Sequence, residues 1–280
     1  MRPLATRRDH QCEGITSVKT VLFCGGLGLR LRDHTERVPK PMVRIGYRPI
    51  LWHVMKYYAH YGHKDFVLCL GYKADVVKEY FLNYSEALSN DFVLNGNGHD
   101  GTANRVELLG SDIHDWRITF ADTGLQSNIG QRLKAVQRYV DGEEVFLANY
   151  GDVLTDANLD EVVADFLRRD KVAAFMCVKP TYTFHVVNMR DDGVVEQIHD
   201  VRVSDIWING GYMILRKEIF DYLGEGEELV QEPFQRLIKE DLLLAYRYQG
   251  FWAPMDTLKD LQHLESLYES GHPDWAVWQR

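Results

Sequence analysis

Short apolar, β-branched runs alternate with segments of helical period along most of the chain. Five runs read as strands, at residues 20–24, 66–70, 117–121, 145–149 and 172–177. Helical patterns separate them at 50–61, 74–83, 133–140 and 159–169, and Pro49 stands where a first helical turn needs no N–H. This alternation predicts βαβ units and a mainly parallel sheet. Strands that are apolar on both faces predict a sheet covered on both sides, a three-layer α/β fold. After Lys179 four runs, at 184–189, 194–198, 206–215 and 242–248, follow closely enough to predict some antiparallel pairing. That texture predicts a mixed, mainly parallel sheet with a small antiparallel β appendage. A last helix is expected over about 259–270. Residues 84–104, rich in Asn, Gly, Ser and Asp, read as a long loop. Residues 1–17 read as a flexible N-terminal extension, and 18–280 as a single domain.

Composition narrows the partners. Thirty-two basic against 41 acidic residues give a net charge of −9, which argues against general nucleic-acid binding. No run of 18 apolar residues is present, so no membrane span is expected. Four cysteines are too few for a disulfide scaffold at 280 residues. Cys24, Cys69 and Cys177 lie inside apolar runs and read as buried thiols in a reducing cytoplasm. Arg7-Arg8 is followed by polar residues, so a twin-arginine export signal is not expected.

The strongest local signal follows the first strand, where residues 25–31 read GGLGLRL. Glycines there let the backbone turn sharply and bring N–H groups to a ligand, commonly a phosphate. A P-loop would need Gly-Lys-Ser/Thr, and a dinucleotide fingerprint would need glycine where Leu31 stands, so both are excluded. Six basic residues, Arg30, Arg32, Arg37, Lys40, Arg44 and Arg48, follow against only Asp33 and Glu36. Such a cluster suits a polyphosphate, with a solvated arginine-rich loop as the alternative. Pro39 and Pro41 stiffen the backbone around Lys40 and favour the first reading. Asp152 follows an apolar strand and is expected at its carboxyl end, where open α/β sheets bind ligands. Asp256 lies before the last helix, and the alternative for both carboxylates is a turn or helix cap.

GGLGLRL, PKPM at 39–42 and PILWHVMKYY at 49–58 resemble the sugar-1-phosphate nucleotidyltransferases. The stretches 70–84, 121–140, NYGD at 149–152, INGGYMIL at 208–215 and GFWAPMDTLKDL at 250–261 are most similar to the glucose-1-phosphate cytidylyltransferase branch. The resemblance implies a Rossmann-like nucleotidyltransferase fold, with a nucleotide half over about 18–157 and an acceptor half over about 158–280. It implies attack of a phosphorylated acceptor on the α-phosphorus of CTP, with Mg²⁺ and release of pyrophosphate. By matching position, Gly25, Gly26, Leu27, Gly28, Leu29 and Arg30 would hold the triphosphate. Lys40 would meet phosphate oxygens at the reacting centre, so that Arg30, Lys40 and Asp152 form the catalytic set. Ser127, Arg132 and Gly151 would contact the nucleotide, and Asp152 and Asp256 would be the metal ligands.

The acceptor side departs from the family. Leu29 replaces the usual Thr. The expected Glu-Lys-Pro is Ile198-His199-Asp200, and a glycine-containing segment becomes Thr183-Phe184-His185-Val186. Asn209, Gly210 and Gly211 are kept. His185, His199, Asn209, Gly210 and Trp252 are therefore the expected acceptor-side residues, with a protonated His199, Arg202 or Lys179 able to replace the missing lysine and Trp252 alternatively a core residue. The expected acceptor is a small phosphorylated compound other than plain glucose 1-phosphate, with sequence drift within one specificity as the alternative. A sugar, a cyclitol, a non-sugar phosphate and an amidophosphate stay open, as does a non-catalytic nucleotide-sugar sensor. His53, His60 and His63 read as packing residues. The tail tryptophans Trp275 and Trp278 read as exposed, which predicts subunit packing and a homo-oligomer.

Overall fold

The computed structural model describes residues 17–26, 38–96, 105–181 and 184–280. The expectations for residues 1–16, for Leu27, Gly28, Leu29 and Arg30, for Arg32 and Arg37, and for Thr183 lie outside these described residues.

The central sheet has seven strands. β1 (Thr20–Phe23) lies between β4 (Asp65–Leu70) and β8 (Val145–Tyr150), parallel to both. β7 (Arg117–Asp122) extends the sheet beyond β4 in the same direction. On the other side β13 (Ile208–Arg216) runs antiparallel to both β8 and β10 (Ala173–Val178), and β14 (Leu243–Tyr248) closes the edge parallel to β10. The fold is thus mixed and mainly parallel, as the alternation of strand and helix predicts. β8 pairs with β13, so strands from both ends of the chain share one sheet.

Helices cover both faces. On one face α1 (Ile50–His60), α2 (Ala74–Leu82), α4 (Leu159–Arg169) and α6 (Leu258–Glu269) pack on Leu22, Leu68 and Leu147. On the other α3 (Ile129–Val140) and α5 (Glu232–Lys239) pack on Val21, Phe23 and Phe146. Alternate residues of β1 therefore feed different cores, which is why Val21, Leu22 and Phe23 are all apolar. Among the described residues, no helix is long and apolar enough to cross a membrane.

Small two-stranded units complete the fold. β2 (Arg44–Ile45) pairs with β3 (Arg48–Pro49), and β11 (His185–Met189) with β12 (Val195–Asp200) in an antiparallel appendage. Residues 84–104 are not simply a loop: β5 (Phe92–Asn95) pairs with β6 (Arg105–Leu108), because a short apolar run lies within the polar segment. β9 (Val153–Thr155) and β15 (Trp252–Pro254) form a further antiparallel pair.

Cys24, Cys69 and Cys177 are buried free thiols. His53 and His63 are packed in the core: His53 Nε2–H donates to the Ile45 carbonyl and His63 Nδ1 accepts from the Val18 amide. The tail corrects the expectation of two exposed tryptophans. Trp275 is 1% exposed and donates from Nε1 to His53 Nδ1, and Trp278 is half-buried, edge-on to Trp52. The final turn folds back on α1, where a row of aromatic side chains gives it an apolar seat.

Candidate active site

The chain leaves β1 toward β4 and β7, then returns to place β8 on the opposite side of β1. The carboxyl ends of β1 and β8 are therefore a topological switch point, where open α/β sheets leave a crevice for ligands. A cleft of about 510 Å³ opens there. Gly25 and Gly26 enter it from β1, Asp152 from just after β8, and Lys40 from the proline-flanked turn.

Asp152 and Asp256 are brought together by the β9–β15 ladder. Val153 is opposite Pro254, and the Met255 amide donates to the Asp152 carbonyl at 3.0 Å. Tyr212 Oη, from β13, donates to the Val153 carbonyl and fixes the same turn from below. The alternative of Asp256 as helix cap does not hold. Thr257 caps α6 in a capping box with Asp260, leaving the Asp256 side chain directed to the cleft. Lys40 Nζ lies 2.5 Å from Asp152 Oδ2 and 2.6 Å from Asp256 Oδ1. Burial alone depresses the Lys40 ammonium, and the two carboxylates outweigh it, so its pKa is raised and it stays charged.

Arg132 rises from α3 and is 3% exposed. Its Nη2 donates to the Gly25 carbonyl at 3.0 Å, and its Nη1 to Thr123 Oγ1 at 2.7 Å and the Leu70 carbonyl at 3.3 Å. It thus ties the ends of β1, β4 and β7 together beneath the glycine turn. Burial lowers its pKa, and no carboxylate pairs with it among the described residues, so it brings a positive charge to a cleft that also holds Asp152, Asp256 and Glu228. Ser127 and Asn128 line the cleft at the start of α3, with Ser127 Oγ donating to the Thr123 carbonyl. Gly151 is buried and is not among the cleft-lining residues. A Cβ there would stand 2.9 Å from Cys24 Sγ, so glycine lets the ends of β8 and β1 meet. Burial keeps the Cys24 thiol well above its ordinary pKa, so it is no nucleophile.

On the acceptor side Asn209, Gly210 and Trp252 line the cleft, and Trp252 Nε1 donates to the Gly210 carbonyl at 2.8 Å. Trp252 is thus both packed and cleft-lining. His185 and His199 stand on the β11–β12 hairpin, opposite Asp200 and Val186, and neither is among the cleft-lining residues. Arg202 is held by Asp200, and Lys179 by the Ser204 carbonyl, also away from the lining. Arg48 leaves the expected anion cluster: it is buried against Ser89, Tyr80, the Ser85 carbonyl and Asp112. Tyr150 and Glu228 are among the lining residues that the sequence does not mark. Tyr150 ends β8, its hydroxyl pushed up to about 12 by burial and by the Glu228 and Asp152 carboxylates. Glu228 enters from the segment before α5. It sits in an acidic run, 225–228, that reads as a solvated surface.

Gly25 and Gly26, a buried arginine, a lysine and two adjacent carboxylates meet at this switch point, a set whose chemistry suits a polyanion and a cation. The family model described as nucleotidyl transferase matches residues 19–270. Glucose-1-phosphate cytidylyltransferases of Salmonella typhimurium and Salmonella typhi are each 37% identical over 264 residues, covering 94% of this chain and 100% of the relative. A solved UDP-glucose pyrophosphorylase complexed with UDP-glucose shares the fold, with a TM-score of 0.65 at 14% identity, over 91% of this chain and 99% of that one. The chain belongs to the nucleotidyl transferase family.

Proposed function

We propose that this enzyme transfers a cytidylyl group from CTP to a small phosphorylated acceptor of the sugar-1-phosphate class, giving a CDP-linked product and pyrophosphate. The observation that carries the reading is the Lys40–Asp152–Asp256 triad beside the glycine turn. CTP rests on the match along the full length of relatives named as cytidylyltransferases.

The donor set fits Mg²⁺. Among the described residues no group of three or more His, Cys, Asp or Glu side chains is assembled. Mg²⁺ is commonly held by one or two carboxylates, with substrate phosphates and water completing the shell. Asp152 and Asp256 would hold it, and their shared grip on the Lys40 ammonium shows that the pair accommodates positive charge. When bound, the ion offsets the repulsion between two phosphorylated reactants and stabilises the leaving pyrophosphate. Lys40 binds phosphate oxygens at the reacting centre. Arg132 holds the Gly25 carbonyl, which fixes the end of β1 where the triphosphate would approach. Little covalent chemistry is left to the protein, and alignment with charge stabilisation supplies the rate.

The acceptor is proposed to differ from glucose 1-phosphate. The family's Glu-Lys-Pro is absent from 198–200, and the residues available to replace its lysine are held away from the cleft. The test is product formation from CTP, UTP, GTP and ATP with a panel of sugar, cyclitol and non-sugar phosphates. CTP with an acceptor other than glucose 1-phosphate is expected to lead. A clear preference for another nucleotide overturns the base assignment, and a clear preference for glucose 1-phosphate overturns the acceptor assignment. Binding of CTP without any product would point to a sensor instead.

A further inference from the structure

Glu228 lines the cleft, and one of its carboxylate oxygens has no partner among the described residues. Its Oε2 accepts from the Ile129 amide at 3.3 Å, but Oε1 is buried and has no hydrogen bond among the described residues. The neighbouring Glu227 is different, since Arg236 and the Gly224 amide satisfy it. Buried polar oxygens are rarely left unpaired, and one at a ligand cleft calls for a donor.

The position of Glu228 is built rather than incidental. Asn128 Nδ2 donates to the Gly226 carbonyl at 2.9 Å, and Leu229 is fully buried. A Cβ on Gly130 would stand 2.2 Å from the Glu227 carbonyl oxygen, so glycine there allows the segment to dock on α3. A carboxylate held this way repels phosphates, which belong near Lys40 and Arg132. It suits the neutral, donor-bearing part of a substrate.

We propose that Glu228 is a specificity residue whose Oε1 accepts a hydrogen bond from a neutral hydroxyl or amino group of the bound substrate. The inference rests on the nucleotidyl-transfer reading of the cleft. The donor belongs either to the nucleoside or to the acceptor, and two arms separate these sources. In the first, CTP, UTP and 2′-deoxy-CTP are titrated into the full chain and into E228Q with Mg²⁺. In the second, the KM of the phosphorylated acceptor that leads the panel above is measured at saturating CTP in both proteins. Gln preserves the shape that meets the Ile129 amide and removes the charge.

E228Q is expected to weaken one arm by about 10-fold or more, with the other and the melting temperature nearly unchanged. A loss confined to CTP, and smaller for UTP or 2′-deoxy-CTP, identifies the nucleoside group that donates. A loss confined to that acceptor's KM assigns the donor to the acceptor. Unchanged values in both arms, or equal losses in both with a lowered melting temperature, overturn the proposal. Failure of the unmodified chain to bind CTP would instead overturn the nucleotidyl-transfer reading itself.

Discussion

The Met255 amide donates to the Asp152 carbonyl one step beyond the last ladder pair, Val153 with Pro254. That bond makes neighbours of two carboxylates, Asp152 and Asp256, that the sequence keeps far apart. D152N and D256N keep the ladder and remove the charge. Each is expected to lower turnover by roughly 10²–10⁴, by analogy with other lost electrostatic stabilisers, while circular dichroism stays unchanged. Near-normal turnover in both would remove the metal assignment.

Lys40 lies between those carboxylates and beside the glycine turn. K40A is expected to slow single-turnover chemistry by a larger factor than it weakens CTP binding by calorimetry. A change in CTP affinity alone would make Lys40 a binding residue only.

Arg132 predicts a different signature, because its donors are engaged by the protein. R132A removes the guanidinium donor from Thr123 Oγ1 and leaves the Gly25 carbonyl with only the longer 3.4 Å bond from the Tyr72 amide among the described residues, while the Leu70 carbonyl keeps the Thr123 amide and hydroxyl. It is expected to cost roughly 2 kcal/mol or more in denaturant unfolding, together with weaker CTP binding. Unchanged stability would show that the arginine does not brace the turn.

His53 links stability to pH. Burial holds its imidazole down at about 4, with the Ile45 carbonyl partly opposing and Arg48 adding to the shift. The unfolded value is about 6.5, so between these pH values the unfolded chain binds the proton and the folded chain does not. Stability is full at neutral pH and falls as pH drops through about 6.5 toward 4, by about 3 kcal/mol. Burial pushes His63 in the same direction. Denaturant midpoints at pH 7 and about 4.5 should fall less in H53Q than in the unmodified chain. Equal falls would contradict the assignment.

The legible parts of the fold are those with a local signature. β1, β4 and β8 are apolar on both faces, and α1 and α4 carry a full helical period, so each is evident from its own residues. β9 and β15 are three residues each, and their pairing is a tertiary event with no periodic pattern to announce it. α5 has a single turn more than the minimum and begins after an acidic run, which hides it. In the site, Asp152, Lys40 and the glycine turn were legible because strand, proline and glycine mark them locally. Glu228 was not, because an acidic surface run and a docked cleft residue look alike until Gly130 and Asn128 are seen to seat the segment. At Gly151 the sequence marks a ligand contact and gives no sign of the close approach to Cys24 that also requires glycine there.

The most direct test of the account is pyrophosphate release by the purified chain given CTP, a panel of phosphorylated acceptors and Mg²⁺, with and without EDTA. Release that requires both reactants, stops with EDTA and returns on adding excess Mg²⁺ is the predicted result. Release indifferent to EDTA, or none with any nucleoside triphosphate and acceptor, would contradict it.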